Sequence, residues 1–372
     1  MPIVSDLSLE ELKQLKEVVN AMLDYSNAAI IRNNFIKAFY DNTVNGRLYG
    51  SFKLFGTKTF RLTSSAPNLL NMPSTGSVYA KPIKQCLSTD KNHLIYQVDF
   101  SALEDRVIAN LSRDENKCAI FTQGIDGHCL NAYYYFTDEV EAILSREEGE
   151  DLYAFVKRFK REVDNGNKAL KAIRQKSKPV SFGLNYGAYP EKVASSIKCS
   201  LEQAENIFHR YHDELYKGVD KMRSTVLAKA KSKGYIPLGL GCRITTDHPE
   251  KEIRTVFNAC SQFWSILSLL SLHRFNEKIA ENRLEDRVEV ISSIYDALYI
   301  HIDKDAELVK WVNDTIIPIM TADFLEDQIV HNEAVGEIGY NWYDTAEVPN
   351  GASLEDIEKA IASLEDKCSI QQ

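Results

Sequence analysis

The chain has 372 residues, 44% hydrophobic and 26% charged, which is an ordinary globular balance and enough length for two or three subdomains. A net charge of −9 argues mildly against nucleic acid as a partner, and seven scattered cysteines without a CxxC pair argue against a disulfide framework or zinc module and for a reduced, cytoplasmic setting. The start "MPIVSDLSLEEL" lacks the layout of a signal peptide, and no continuous apolar run approaches the ~20 residues that span a bilayer, so no membrane partner is expected.

In chain order, residues 7–40 read as helix, with apolar residues at three- and four-residue steps. Residues 46–65 alternate like a hairpin, and 66–76 form a loop marked by Pro67, Pro73 and Gly76. "HLIYQVDF" (93–100) reads as a buried strand, and residues 101 to about 233 as mainly helical. That helical stretch holds two basic runs, one from "KRFKR" (157–161) to Lys178 and one from Lys221 to Lys233. "GYIPLGLGCR" (234–243) reads as a Gly-rich hairpin or turn region, 250–282 as helix, "VEVISSIYDALYIHI" (288–302) as a buried strand or hairpin, and 304–328 as helix. After the break "TAEVPNGA", Ser353 and Asp356 make a capping-box-like start to an acidic tail helix striped by Leu354, Ile357, Ile361 and Leu364. The stripe docks on the protein's own body or on a partner.

Two lone carboxylates stand in the apolar strand-like runs, Asp99 in "YQVDFSALEDR" and Asp296 between Tyr295 and Ala297. An unpaired buried carboxylate is costly. On these residues alone, two readings stand. The pair shares a site for hard divalent cations, which favour carboxylate oxygens together with substrate phosphates. Alternatively, each is satisfied by helix caps and arginines.

Further strings decide the reading. "RQKSKPVSFGLNYG" (174–187) sets Arg174, Lys178, Phe182 and Tyr186 at steps of four, and the first three share a helix face. "FRLTSSAPNLLNMP" (60–73), "QGIDGH" ending at His128, and "RTVFNACSQ" with Arg254, Asn258 and Gln262 accompany "DFSALEDR" and the Asp296 strand. In this order and approximate spacing, over about residues 20–344, the chain resembles the family A DNA polymerases, the bacterial polymerase I kind.

The resemblance implies an α+β right-hand fold: a palm on an antiparallel sheet with helical fingers inserted between the two Asp strands. The implied divisions are a partial thumb (1–45), palm (46–112 and 249–344), fingers (113–248) with an insertion at about 137–165, and an acidic helical tail (345–372). It implies DNA-directed synthesis from dNTPs on a primer–template, with two Mg²⁺ ions held by Asp99, Asp296 and the Phe100 carbonyl. It gives His128, Arg174 and Lys178 to the triphosphate, whose charge such side chains neutralise or hydrogen-bond. Phe182 would pack on the incoming sugar, Tyr186 would stack at the template base, and Glu104 would exclude a ribose 2′-hydroxyl. Arg61, Asn68, Asn71, Asn258, Gln262 and Tyr295 would contact the primer–template, largely in the minor groove, where acceptors are nearly sequence-independent.

The chain departs from that pattern at four places. Tyr295, Asp296 and Ala297 stand where the family has His-Asp-Glu, and Leu70 stands for its Gln. Pro179 falls inside the fingers helix, where a proline costs about 3 kcal/mol, so a kink or a new segment is expected. The insertion separates His128 from Arg174. The resemblance also implies a further thumb and a proofreading exonuclease domain, which a split, phage-type polymerase would carry on a separate chain. Two other readings are a single-subunit RNA polymerase relative and a silenced polymerase fold serving as a binding subunit.

Overall fold

The computed structural model describes residues 8–74 and 76–369. The helix start expected at residue 7, the rest of the N-terminal "MPIVSDL", position 75 of the expected loop and residues 370–372 of the tail lie outside the described residues. The chain opens with α1 (Leu9–Ile31), continued by a wider turn (Arg32–Ile36) into α2 (Lys37–Asn42). Ser8 and Glu11 form a capping box at the start of α1. Where one hairpin was expected there are two small ribbons, β1 (Thr43–Val44) with β2 (Arg47–Leu48) and β3 (Ser51–Lys53) with β4 (Thr63–Ser65).

Next come α3 (Ala80–Gln85) and β5 (His93–Phe100), then the helices α4 (Leu103–Ser112), α5 (Glu115–Thr122), α6 (Gly127–Tyr135), α7 (Thr137–Glu141), α8 (Leu152–Asp164), α9 (Lys168–Asn185), α10 (Pro190–Ile197), α11 (Leu201–His209) and α12 (Lys217–Lys233). The hairpin β6 (Tyr235–Gly239) and β7 (Cys242–Thr245) leads to α13 (Pro249–Gln262) and α14 (Ile266–Glu281). The chain closes with β8 (Val288–Ile294), β9 (Ala297–Asp303), α15 (Ala306–Thr321), β10 (Ala334–Gly339), β11 (Thr345–Val348) and α16 (Leu354–Ser369).

The main sheet is antiparallel throughout, in the order β11-β10-β5-β9-β8. Its strands alternate. Leu94, Tyr96, Val98 and Phe100 of β5, with Leu298, Ile300 and Ile302 of β9, are buried toward α14 and α15. Gly336 of β10 has no room for a side chain, because an added Cβ would lie 2.0 Å from the Tyr96 hydroxyl, which itself bonds Asn313 at 2.5 Å. The opposite face carries Gln97, Asp99, Tyr299 and Glu337, and Trp342 stacks on Tyr299 at 4.0 Å. One hydrophobic core runs without interruption from this sheet into the helices α4–α12.

The helix expected at 250–282 runs Pro249–Glu281, tightened at Phe263–Ser265 without ending there. Three expectations are corrected. The helix expected at 304–328 ends at Thr321, where Ala322 turns extended. The combined run Pro249–Glu281 is long and apolar enough to cross a bilayer by length and composition, contrary to the sequence reading, but half of its apolar 18-residue window is buried within the protein, as in a core helix. Pro179 does not end α9, which stays helical from Lys168 to Asn185. Ser177 and Val180 on either side of it, with Leu184 a turn later, are buried in the same core, so tertiary packing outweighs the local penalty. The tail helix docks on its own body: Ile357, Ala360 and Leu364 are buried against α15 and β11, and Lys304 pairs with Glu365.

Candidate active site

Asp99 lies near the end of β5, opposite Ala297 across the ladder, and the Phe100 amide reaches the Asp296 carbonyl at 3.4 Å. Asp296 is therefore not inside a strand. It occupies the two-residue turn between β8 and β9, which Tyr295 closes in the left-handed conformation (φ 54°). Such turns suit glycine or asparagine, so a tyrosine there carries local strain immediately beside Asp296.

Asp99 is exposed at the surface of the sheet, yet many protein atoms crowd around its carboxylate and displace bulk water. Burial and the charges of Asp296 and Glu337 push its carboxyl up to about 7. Burial raises Asp296 too, with Arg61 opposing. Two hard oxygen donors that repel each other form a site a divalent cation would relieve. Among the described residues no group of three or more His, Cys, Asp or Glu side chains is set to hold a metal, so other oxygens would have to complete its shell.

After β5, Ala102 takes a left-handed conformation (φ 55°) that turns the chain into α4 and sets Glu104 in that helix's first turn. Glu104 is the hub of a polar cluster. Arg61 pairs with one of its oxygens, and the Tyr186 hydroxyl donates to the other at 3.0 Å. Arg61 also lies over the Tyr295 ring at 5.5 Å. Opposite Glu104, α6 begins at Gly127 with Asp126 as its cap, and α9 packs along α6.

A cleft of about 470 Å³ separates these elements, and Glu104, His128, Phe182, Tyr186, Asn258 and Asp296 wall it. Phe182 is 60% and Tyr186 37% exposed, so both rings present a face to the cleft. Burial, then the nearby Arg174 charge, lowers the His128 pKa, so its imidazole is neutral near pH 7. Its Nδ1 is buried without a hydrogen-bond partner.

Arg174 and Lys178 lie two turns and one turn before Phe182 on α9 and do not wall the cleft itself. Arg174 is held by Asp126, Nε at 3.1 Å and Nη2 at 2.7 Å. Burial pushes the Asp126 carboxyl up, but the Arg174 bond and the Cys129 amide outweigh it and hold it below the usual range. Asn68 accepts from the Leu70 amide and starts a tight turn ending at Asn71, so its side chain is engaged locally. Gln262 ends α13, one turn beyond Asn258 and outside the cleft.

Sequence reading missed Asp126, Asp105, Lys117, Asn185 and Tyr211. The only signal for Asp126 was its place before the Gly127–His128 pair, where a cap is favoured. The others pair across 12 to 80 residues of chain, which no local pattern reports.

Residues 2–344 match the family described as DNA polymerase family A. The chain is 24% identical over 326 residues to the thermostable DNA polymerase I of Thermus aquaticus, covering 84% of this chain and 36% of that protein. It is 26% identical over 231 residues to DNA polymerase I of Treponema pallidum, covering 61% and 20%. It thus spans about a third or less of these relatives. The POL domain of Pol1 from M. smegmatis, solved in complex with DNA primer-template and dNTP, superposes with a TM-score of 0.72 at 21% identity, over 90% of this chain and 56% of that one, and so shares the fold.

Proposed function

The chain belongs to DNA polymerase family A, and from that premise we propose that it adds dNTPs to a primer 3′ end under the direction of a DNA template. The observation that carries this reading is the single cleft that joins Asp296, with Asp99 beside it, to Glu104, His128, Phe182 and Tyr186, residues drawn from four separate parts of the sequence.

Asp99 and Asp296, with the Phe100 carbonyl, would hold two Mg²⁺ ions, whose bound state lowers the barrier to attack of the primer hydroxyl on the α-phosphate. The chain's own residues do the rest. Arg174, kept in place by Asp126, and Lys178 draw the triphosphate along the half-buried flank of α9. Neutral His128 donates one hydrogen bond without adding charge. Phe182 offers an apolar face to the sugar and Tyr186 a stacking surface to a base. Glu104, immobilised by Arg61 and Tyr186, closes the space a 2′-hydroxyl would need. Asn258 reaches the cleft from α13 and would meet the nascent pair from its minor-groove side.

Every side of α1 is exposed, including Val18, Met22 and Leu23. A further protein segment, in the same polypeptide or a separate chain, would cover that face, and co-purification from the native source would recover it. The tail helix offers less of such a face, since Ile357 and Leu364 of its stripe are buried and Leu354 alone is exposed.

The deciding experiment is primer extension with Mg²⁺, run with dNTPs and with rNTPs. Extension with dNTPs supports the reading. Extension by rNTPs alone indicates an RNA polymerase relative, and binding of primer–template without extension indicates a silenced fold.

A further inference from the structure

Lys117, the third residue of α5, is buried with only 3% of its side chain exposed. Its ammonium bonds Asp105 Oδ1 at 3.0 Å and lies 4.6 Å above the Tyr216 ring. Asp105 faces the cleft and keeps 42% of its side chain exposed. The same Oδ1 accepts from Asn185 Nδ2 at 3.5 Å, and the Tyr211 hydroxyl secures Asn185 Oδ1 at 2.7 Å. Asn185 is the last residue of α9, next to Tyr186, whose hydroxyl bonds Glu104. Two consecutive carboxylates of α4 thus hold two consecutive residues at the end of α9. A second branch reaches one turn further back: Tyr216 bonds Asn131 at 2.6 Å, and Asn131 bonds Ser181 at 2.7 Å.

A buried ammonium is not needed for packing. Apolar residues of similar volume commonly replace such pairs at little or no cost in stability. What an apolar pair could not do is fix Asp105 toward Asn185. We propose that Lys117 and Asp105 are positioning residues that set the C-terminal end of α9, and through it Tyr186 and Phe182, against Glu104 for nucleotide selection. This inference rests on the nucleotidyl-transfer reading, and two kinds of readout separate them.

The test compares wild type with Asp105→Asn, Lys117→Arg and the double variant Asp105→Leu/Lys117→Met, using thermal unfolding, single-nucleotide addition kinetics, and hydrogen exchange over residues 182–188. The double variant should fold with a near-normal melting temperature. It should exchange faster over 182–188, and its KM for dNTP should rise about tenfold, the worth of one charge-assisted hydrogen bond, with kcat less affected. Asp105→Asn should shift KM the same way, and Lys117→Arg, which keeps the charge but overfills the buried site, should lie between wild type and the double variant. Unchanged exchange and KM in both the double variant and Asp105→Asn would overturn the assignment. Should the double variant fail to fold, Asp105→Asn carries the test, with exchange over 182–188 read relative to the rest of the chain because the Lys117 ammonium loses its counter-charge. A wild type without extension would overturn the proposed reaction, while the exchange comparison would still read the hold of the pair on α9.

Discussion

Replacing Asp99 by Asn should abolish extension and at the same time stabilise the metal-free protein above neutral pH. In the folded chain the Asp99 carboxyl titrates at about 7, against 3.8 when unfolded. Between those values the native state holds a proton that the unfolded state has released, so stability falls as pH rises through the window, and the full cost is present above 7. The displacement of about 3 pH units is worth about 4 kcal/mol if nothing screens it, and because the side chain is exposed at the surface of the sheet, screening reduces it to about 1–2 kcal/mol. Asparagine carries no charge to desolvate, so Asp99→Asn at pH 8 in EDTA should gain that amount, a rise of roughly 1–3 °C for a chain of 372 residues. At pH 4 the two proteins should melt together. Adding Mg²⁺ should raise the wild type and leave the variant unmoved, because only a species that binds the folded state stabilises it. Differential scanning fluorimetry at pH 4, 6 and 8, with and without Mg²⁺, measures all of this. A variant no more stable than wild type at pH 8, or a gap of equal size at pH 4, would refute the account of the carboxylate pair.

Three further outcomes are expected. Asp296→Asn should lose nearly all extension while retaining primer–template binding in a gel-shift assay; robust activity would remove it from the catalytic pair. Glu104→Ala should raise rNTP use relative to dNTP and free both Arg61 and Tyr186, and unchanged selectivity would place the sugar gate elsewhere. Arg174→Ala should raise the KM for dNTP and cost about 2–3 kcal/mol in urea unfolding, because Asp126 is left poorly solvated and unpaired; the Asp126→Ala/Arg174→Ala double variant should recover part of that loss.

The elements most legible in the sequence are those whose signal is local. β5 follows from one apolar run and lies at the residues expected, His93–Phe100. The capping motif at Ser353 and Asp356 forms with Ser353 Oγ 2.6 Å from Asp356. The family strings are legible for a different reason: each packs several chemically specialised residues into a short segment. What stayed hidden was pairing over distance. Arg174 reads as a free phosphate ligand until Asp126, 48 residues earlier, is seen to hold it. Tyr186 reads as a stacking ring until its hydroxyl is found on Glu104, 82 residues away.

Pro179 and Tyr295 show where local rules fail. The proline rule counts one lost amide bond and one clash, and gives a break. It does not count the buried side chains on both sides of Pro179, which hold the helix to a single core at both ends. The turn rule would place glycine or asparagine at 295, and the chain has tyrosine with a positive φ. In both cases the irregular residue lies within one helical turn or one position of a group assigned to the reaction: Lys178 precedes Pro179 and Asp296 follows Tyr295. Local strain or lost bonding is tolerated where surrounding packing over-determines the backbone, and it persists where a side chain must be aimed. A helix that continues through Pro179 keeps Arg174, Lys178 and Phe182 on one element, which a break there would divide. The tight tyrosine turn keeps Asp296 at the rim of the sheet beside Asp99, a place that a longer, relaxed loop would not fix.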